Sequence, residues 1–193
     1  MNETTPEQEA HDAALGLMEG LRTQLGYIPN MYSEMAEAPA LLLTYYEGYL
    51  RFRKTSGFSL AEQEVIFLTV SRFNNCEYCM AAHSRLALSS SHVPSEIVAA
   101  IRDDKPLPPG RLHAINFIVL ELLHNFGNIT PEMRARAQSF DVGTRDLLYL
   151  VLAISLKTMS NWTNHITHPT VDDVSADLVW TAPDAGPTQP RQM

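Results

Sequence analysis

Residues 59–87 read SLAEQEVIFLTVSRFNNCEYCMAAHSRLA, and two helices joined by a tight turn are written into them. Ser59-Leu60-Ala61-Glu62 is a capping box, in which the serine hydroxyl serves the N–H three residues on and the glutamate reaches back. No glycine or proline interrupts the run to Phe73. Asn74-Asn75 then breaks it, and Asn75 is expected to cap a second helix from Cys76 to about Ser90. Two helices so close in sequence must fold back antiparallel.

The same grammar extends outward. Thr5-Pro6-Glu7 supplies an N-cap, an N1 proline and a first-turn acid for a helix reaching Gly20 or Leu25. Gly26-Tyr27-Ile28-Pro29-Asn30 stops it. A helix restarts at Ala38-Pro39, with Leu42, Tyr45, Tyr46, Tyr49 and Phe52 at three-and-four spacing, and ends near Gly57. A short helix is expected after Pro94, stopping at Asp103 to Pro106. Another runs from Leu112 to Phe126. Thr130-Pro131-Glu132 caps one that closes near Gly143, and Thr144 opens a last one through Leu147, Leu150 and Ile154 to about Asn164. No strand pattern of useful length occurs. The expected fold is all-α, one domain over residues 1–182, with an N-terminal helical extension (1–58) and a motif-bearing core (59–164). Residues 183–193, rich in proline and glycine, read as a mobile tail.

Composition narrows the function. The 193 residues hold 22 acidic against 14 basic side chains, a net charge of −8. With no basic run, phosphate-neutralising nucleic-acid binding is not expected. The longest uncharged apolar stretch, Leu147 to Leu156, is about half a membrane span. The acidic first twenty residues are the opposite of a secretory leader, so a cytoplasmic, reducing location is the expectation. No glycine-rich phosphate loop is present, so no nucleotide, flavin or other cofactor is expected. Only two cysteines occur, Cys76 and Cys79. Roughly one random placement of two cysteines in a hundred gives that spacing, and in a reducing compartment it points to redox or metal chemistry.

With Asn75 as N-cap, Cys76 takes the first helical position and Cys79 the fourth. Residues at i and i+3 share a face and can approach disulfide geometry. His83, four residues beyond Cys79, lies on the same face, and an imidazole beside a thiol can take its proton or steady its anion. Glu64 joins across the hairpin. At 1.5 Å rise per residue its height above the turn differs from that of His83 by about 3 Å. Its helical neighbours Leu60, Ala61, Phe67 and Leu68 are apolar, so its carboxylate is expected to be desolvated and unusually basic, suited to proton transfer. A competing reading makes Cys76, Cys79 and His83 zinc ligands, with Glu64, His165 or His168 as the fourth that a tetrahedral site requires.

The pattern Glu64-x11-Cys76-x2-Cys79-x3-His83 resembles the carboxymuconolactone decarboxylase family, in its AhpD-like alkyl hydroperoxidase branch. The likeness is strongest from Ser59 to Ala87. Leu25 to Asn30 looks like the N-terminal extension of peroxidase-related members, and Gly127 to Asn161 like the family's closing helices. Tyr78 stands where some hydroperoxidase members carry a histidine. The resemblance implies an all-helical homo-oligomer, trimeric or hexameric, with thiol-dependent peroxidase activity toward a small hydroperoxide. In that scheme Cys79 becomes a sulfenic acid, Cys76 resolves it as a disulfide, His83 and Glu64 relay the proton, and a thiol or dithiol reductant restores the pair. The helix terminus favours Cys76 as nucleophile and the imidazole favours Cys79. A positioned base acts directly, whereas a macrodipole supplies only about 0.3–1 kcal/mol, so Cys79 is the expected attacker. A redox sensor on the same fold and a lactone decarboxylase are the other readings.

Overall fold

The computed structural model describes residues 5–183; the expected tail lies almost wholly outside them. Nine α-helices follow one another among these residues: α1 (Pro6–Leu25), α2 (Asn30–Met35), α3 (Pro39–Thr55), α4 (Leu60–Phe73), α5 (Glu77–Ser89), α6 (Ser95–Arg102), α7 (Arg111–His124), α8 (Pro131–Gln138) and α9 (Thr144–Thr167). A 3₁₀ turn, Asp173–Leu178, closes the series. The fold is all-α, as the sequence predicts, with 73% of the described residues helical and no strands among them. No helix among the described residues is long and apolar enough to cross a membrane.

The capping residues perform as the sequence predicts. Thr5, Ser59 and Thr130 each accept the expected N–H, and Glu62 completes the capping box by accepting from Ser59 N at 2.7 Å. α4 is the centre of the bundle, packed against α5, α6, α7 and α9. Every residue from Glu62 to Ser71 is buried, which is what a helix with neighbours on all sides requires. Ile66, Phe67 and Leu68 are fully enclosed, each worth roughly 1.5–3 kcal/mol of burial. α3 crosses α9 closely at Gly48, where an added Cβ would stand 2.8 Å from Leu156 Cδ2.

The structure corrects several expected boundaries. α2 (Asn30–Met35) begins on the last residue of the expected break and fills the stretch before Ala38, where no helix is expected from the sequence. α8 ends at Gln138, well before Gly143, which instead precedes α9 and donates its N–H to Asp146 Oδ2 at 2.9 Å. α9 continues past Asn164 to Thr167 and ends on His168, in the left-handed region at φ 51°.

The correction that matters most falls on the α4–α5 turn. Asn75 has φ 54°, a conformation asparagine tolerates better than most residues. Asn75 N donates to Arg72 O at 3.1 Å and Cys76 N to Ser71 O at 2.9 Å. These two bonds are a Schellman motif, so Asn75 ends α4 rather than beginning α5. Cys76 is therefore the N-cap of α5 and Cys79 its third residue. The i, i+3 relation is untouched by this shift.

Candidate active site

The two cysteines lie 3.5 Å apart, reduced and buried. Cys76 makes no capping bond through its sulfur. Cys79 has the more polar partners of the two: Asn164 Nδ2 donates to it at 3.2 Å and to Cys76 at 3.5 Å, and Ser160 Oγ lies 3.8 Å from it. Both partners come from α9. Burial opposes ionisation of Cys79, but the Cys76 thiol as donor, the Lys157 ammonium and His83 outweigh it and draw the Cys79 thiol well below its ordinary value. Cys76 is displaced the opposite way, because its proton is held against Cys79, because it is buried, and because Cys79 carries the charge.

Glu64 and His83 meet across the hairpin, with Glu64 Oε2 2.8 Å from His83 Nδ1. Sequence reasoning misjudged the electrostatics of Glu64. Burial does push its carboxyl up, but the imidazole and Arg53 prevail, and its pKa is lowered. Arg53 Nη2 donates to Glu64 Oε1 at 2.5 Å and also to the Tyr49 hydroxyl at 2.8 Å. Glu64 is an ionised anchor rather than a basic carboxylate. His83 is driven toward its neutral form, by burial first and by the Lys157 charge next, against the pull of Glu64. With the carboxylate ionised, Nδ1–H is the donor and Nε2 carries the lone pair.

Phe67 organises the charged groups around this dyad. The Arg53 guanidinium stands 4.8 Å and Lys157 Nζ 5.8 Å from its ring centroid, and the His83 ring packs at 5.0 Å. Beside His83 a cavity of about 320 Å³ opens between α1, α2, α3 and α5. Tyr32, Tyr45, Tyr46, Tyr49 and Tyr78 give it an aromatic lining.

Tyr78, between the cysteines, ties the motif to distant chain. Its hydroxyl donates to Asp172 Oδ2 at 2.5 Å and accepts from Met31 N at 3.3 Å, while Asp172 Oδ1 accepts from Asn30 N at 2.9 Å. The segment after Asp172 then lies along α5 and α6. Arg85 Nε donates to Val174 O, Trp180 Nε1 donates to Arg102 O, and Ala182 N donates to Glu77 Oε1.

Glu64, Cys76, Cys79 and His83, the residues singled out from sequence, thus converge in one buried cluster. Sequence reasoning missed Arg53, Lys157, Ser160, Asn164 and Asp172. For the α9 group a signal existed: Leu150, Ala153, Lys157, Ser160 and Asn164 recur at three-and-four spacing, placing a lysine and an asparagine on the inward face. The zinc reading loses its geometry. His165 and His168, offered as the fourth ligand, are exposed at the end of α9, and no group of three or more His, Cys, Asp or Glu among the described residues is arranged to hold a metal.

The fold is the AhpD-like helical fold. The model of the Carboxymuconolactone decarboxylase family matches residues 36–107, a stretch from the end of α2 past α6 that contains the thiol motif. Two solved structures share the fold over most of their length. An uncharacterised peroxidase-related protein from Ralstonia eutropha JMP134, described as an alkylhydroperoxidase AhpD core, superposes with a TM-score of 0.73 at 17% identity, covering 89% of this chain and 92% of its own. An uncharacterised peroxidase-related protein from Silicibacter sp. TM1040 gives 0.69 at 20% identity, covering 85% and 87%. No curated protein matches the chain.

Proposed function

We propose that the protein is a thiol-dependent peroxidase that reduces organic hydroperoxides with Cys79 as nucleophile and Cys76 as resolving thiol. The observation that carries this reading is the asymmetric setting of the two sulfurs: Cys79 faces the Asn164 amide, Lys157 and the His83–Glu64 dyad, while Cys76 keeps its proton. The Cys79 thiolate attacks the distal oxygen of ROOH. The O–O bond breaks, the sulfur becomes a sulfenic acid, and the alkoxide leaves as the alcohol with a proton passed through His83 Nε2 from solvent. Cys76 then attacks the Cys79 sulfur, its proton joins the departing hydroxide as water, and a disulfide forms. A thiol or dithiol reductant returns the two electrons. The aromatic cavity beside His83 supports a substrate with an apolar body. Leu148, Val151, Trp162 and Ile166, exposed along one face of α9, support the homo-oligomer that belongs to the same reading.

The test is single-turnover thiol loss with an aryl or alkyl hydroperoxide. Wild type should lose two thiols per hydroperoxide, Cys76→Ser should stop at a trappable sulfenic acid, and Cys79→Ser should not react. Wild-type thiols indifferent to hydroperoxides would overturn the proposal. So would decarboxylation of a carboxymuconolactone that survives in Cys79→Ser.

A further inference from the structure

Lys157 is the least expected residue of the core. It sits in the middle of α9 with 1% of its surface exposed, and its Nζ makes no hydrogen bond of normal geometry. An ammonium taken out of water without a partner costs several kcal/mol. A protein that keeps one there supplies an anion or lets the group lose its charge.

Candidate anions are few. Glu64 already holds Arg53 and His83, one through each oxygen. Asp172 is shared by Tyr78 and Asn30. Among the described residues no carboxylate forms an ion pair with Lys157. The remaining acid is a thiol. Lys157 precedes Ser160 by three residues and Asn164 by seven, so all three share the inward face of α9, and both Ser160 and Asn164 reach the Cys79 sulfur. Lys157 also lies within electrostatic reach of Cys79 and Cys76. Charge then balances locally: Arg53 with Glu64, Lys157 with Cys79.

We propose that Lys157 is the counter-ion of Cys79, holding its sulfur as a buried thiolate in the reduced protein. The inference rests on Cys79 being the reactive thiol but not on which oxidant it meets. The other groups facing Cys79 do not take this role. Burial and the Lys157 charge oppose protonation of His83, whose Nδ1 is committed to Glu64, and Cys76 is a proton donor. Tyr32, Tyr45 and Tyr78, which surround the sulfur from α2, α3 and α5, are held protonated by burial. Ser160 and Asn164 contribute dipoles only. Lys157 is thus the one full positive charge facing the sulfur among these groups.

The test follows ionisation of Cys79 in a Cys76→Ser background, by thiolate ultraviolet absorbance and by the pH dependence of iodoacetamide alkylation. Lys157→Met, which keeps the stem and removes the charge, should move the midpoint upward by about 1–3 pH units. Superimposable titrations with and without Lys157 would overturn the proposal. Stability gives a second reading. In Cys79→Ser the ammonium has lost its anion, so Cys79→Ser/Lys157→Met should melt higher than Cys79→Ser alone. A double variant that melts lower would also overturn it. If Lys157→Met alone fails to fold, this comparison still decides. A shifted titration in a protein whose thiols ignore hydroperoxides would uphold the Lys157–Cys79 pair and reject the peroxidase reading.

Discussion

Glu64→Gln tests the dyad at the level of a single proton. Arg53 carries donors only, so a glutamine at position 64 must present its oxygen to Arg53 and hence its NH₂ to His83 Nδ1. An NH₂ group needs an acceptor there. The imidazole must therefore move its proton to Nε2, and the lone pair needed for relay disappears from the side facing the cavity. General acid–base catalysis contributes roughly 10²–10⁴-fold, so the oxidation rate should fall by about that factor, or about 3–5 kcal/mol of barrier. Stability should suffer less. Two bonds to an ionised carboxylate become bonds to a neutral amide, at about 1–1.5 kcal/mol each, and Arg53 keeps Tyr49, Gln63 and partial access to water. A loss of about 2–3 kcal/mol lowers Tm by roughly 4–12 °C in a chain of this size. Rapid-mixing measurements of thiol loss give the rate, and ¹⁵N shifts of His83 report the tautomer directly. A variant that keeps the Nδ1–H tautomer, or that reacts within about threefold of wild type at equal thiolate content, would refute the reasoning.

Acidification should weaken the protein in two stages. His83 is depressed from an ordinary 6.5, so the unfolded chain takes up its proton first, and stability falls as pH drops below that value toward the folded pKa. Glu64 is depressed from 4.5, so its contribution is lost at lower pH still, and urea midpoints against pH should show both steps. Tyr78→Phe strips Asp172 of its shortest bond and leaves Met31 N without its acceptor. A cost of about 1–3 kcal/mol is expected, read as a lower Tm with faster proteolysis between residues 170 and 182. Gly48→Val forces a branched side chain against Leu156 where a single Cβ already falls at 2.8 Å. Thermal melting should show a loss of about 1–3 kcal/mol, and an unchanged Tm would mean that α3 and α9 separate freely.

The helices were legible where their ends carry local signals. Thr5-Pro6, Ser59 with Glu62 and Thr130-Pro131 each bond within a few residues, so a linear reading finds them. α2 escaped because six residues are too few for periodicity and its first N–H is served by Asp172, 142 residues away. The Asn74-Asn75 turn was found but its cap was placed one residue early, since an asparagine suits both the end of one helix and the start of the next. The Cys-x-x-Cys, His83 and Glu64 were legible because hairpin geometry relates them by simple spacing. What that geometry does not contain is charge from other helices. Apolar neighbours along α4 argue for a basic Glu64, and His83 of α5 together with Arg53 of α3 reverses the sign.

The wall of the site arrives late. Cys79 is met by Asn164, 85 residues downstream, and Tyr78 by Asp172, 94 residues downstream. At a synthesis rate of roughly 5–20 residues per second, the cysteine pair waits on the order of 5–20 s after translation before α9 can reach it. During that interval the thiols are as accessible, and as sluggish, as those of any unfolded chain. The nascent polypeptide therefore carries the sulfur atoms without the surroundings that lower the Cys79 thiol, and docking of the last long helix supplies those surroundings and encloses the pair in the same event.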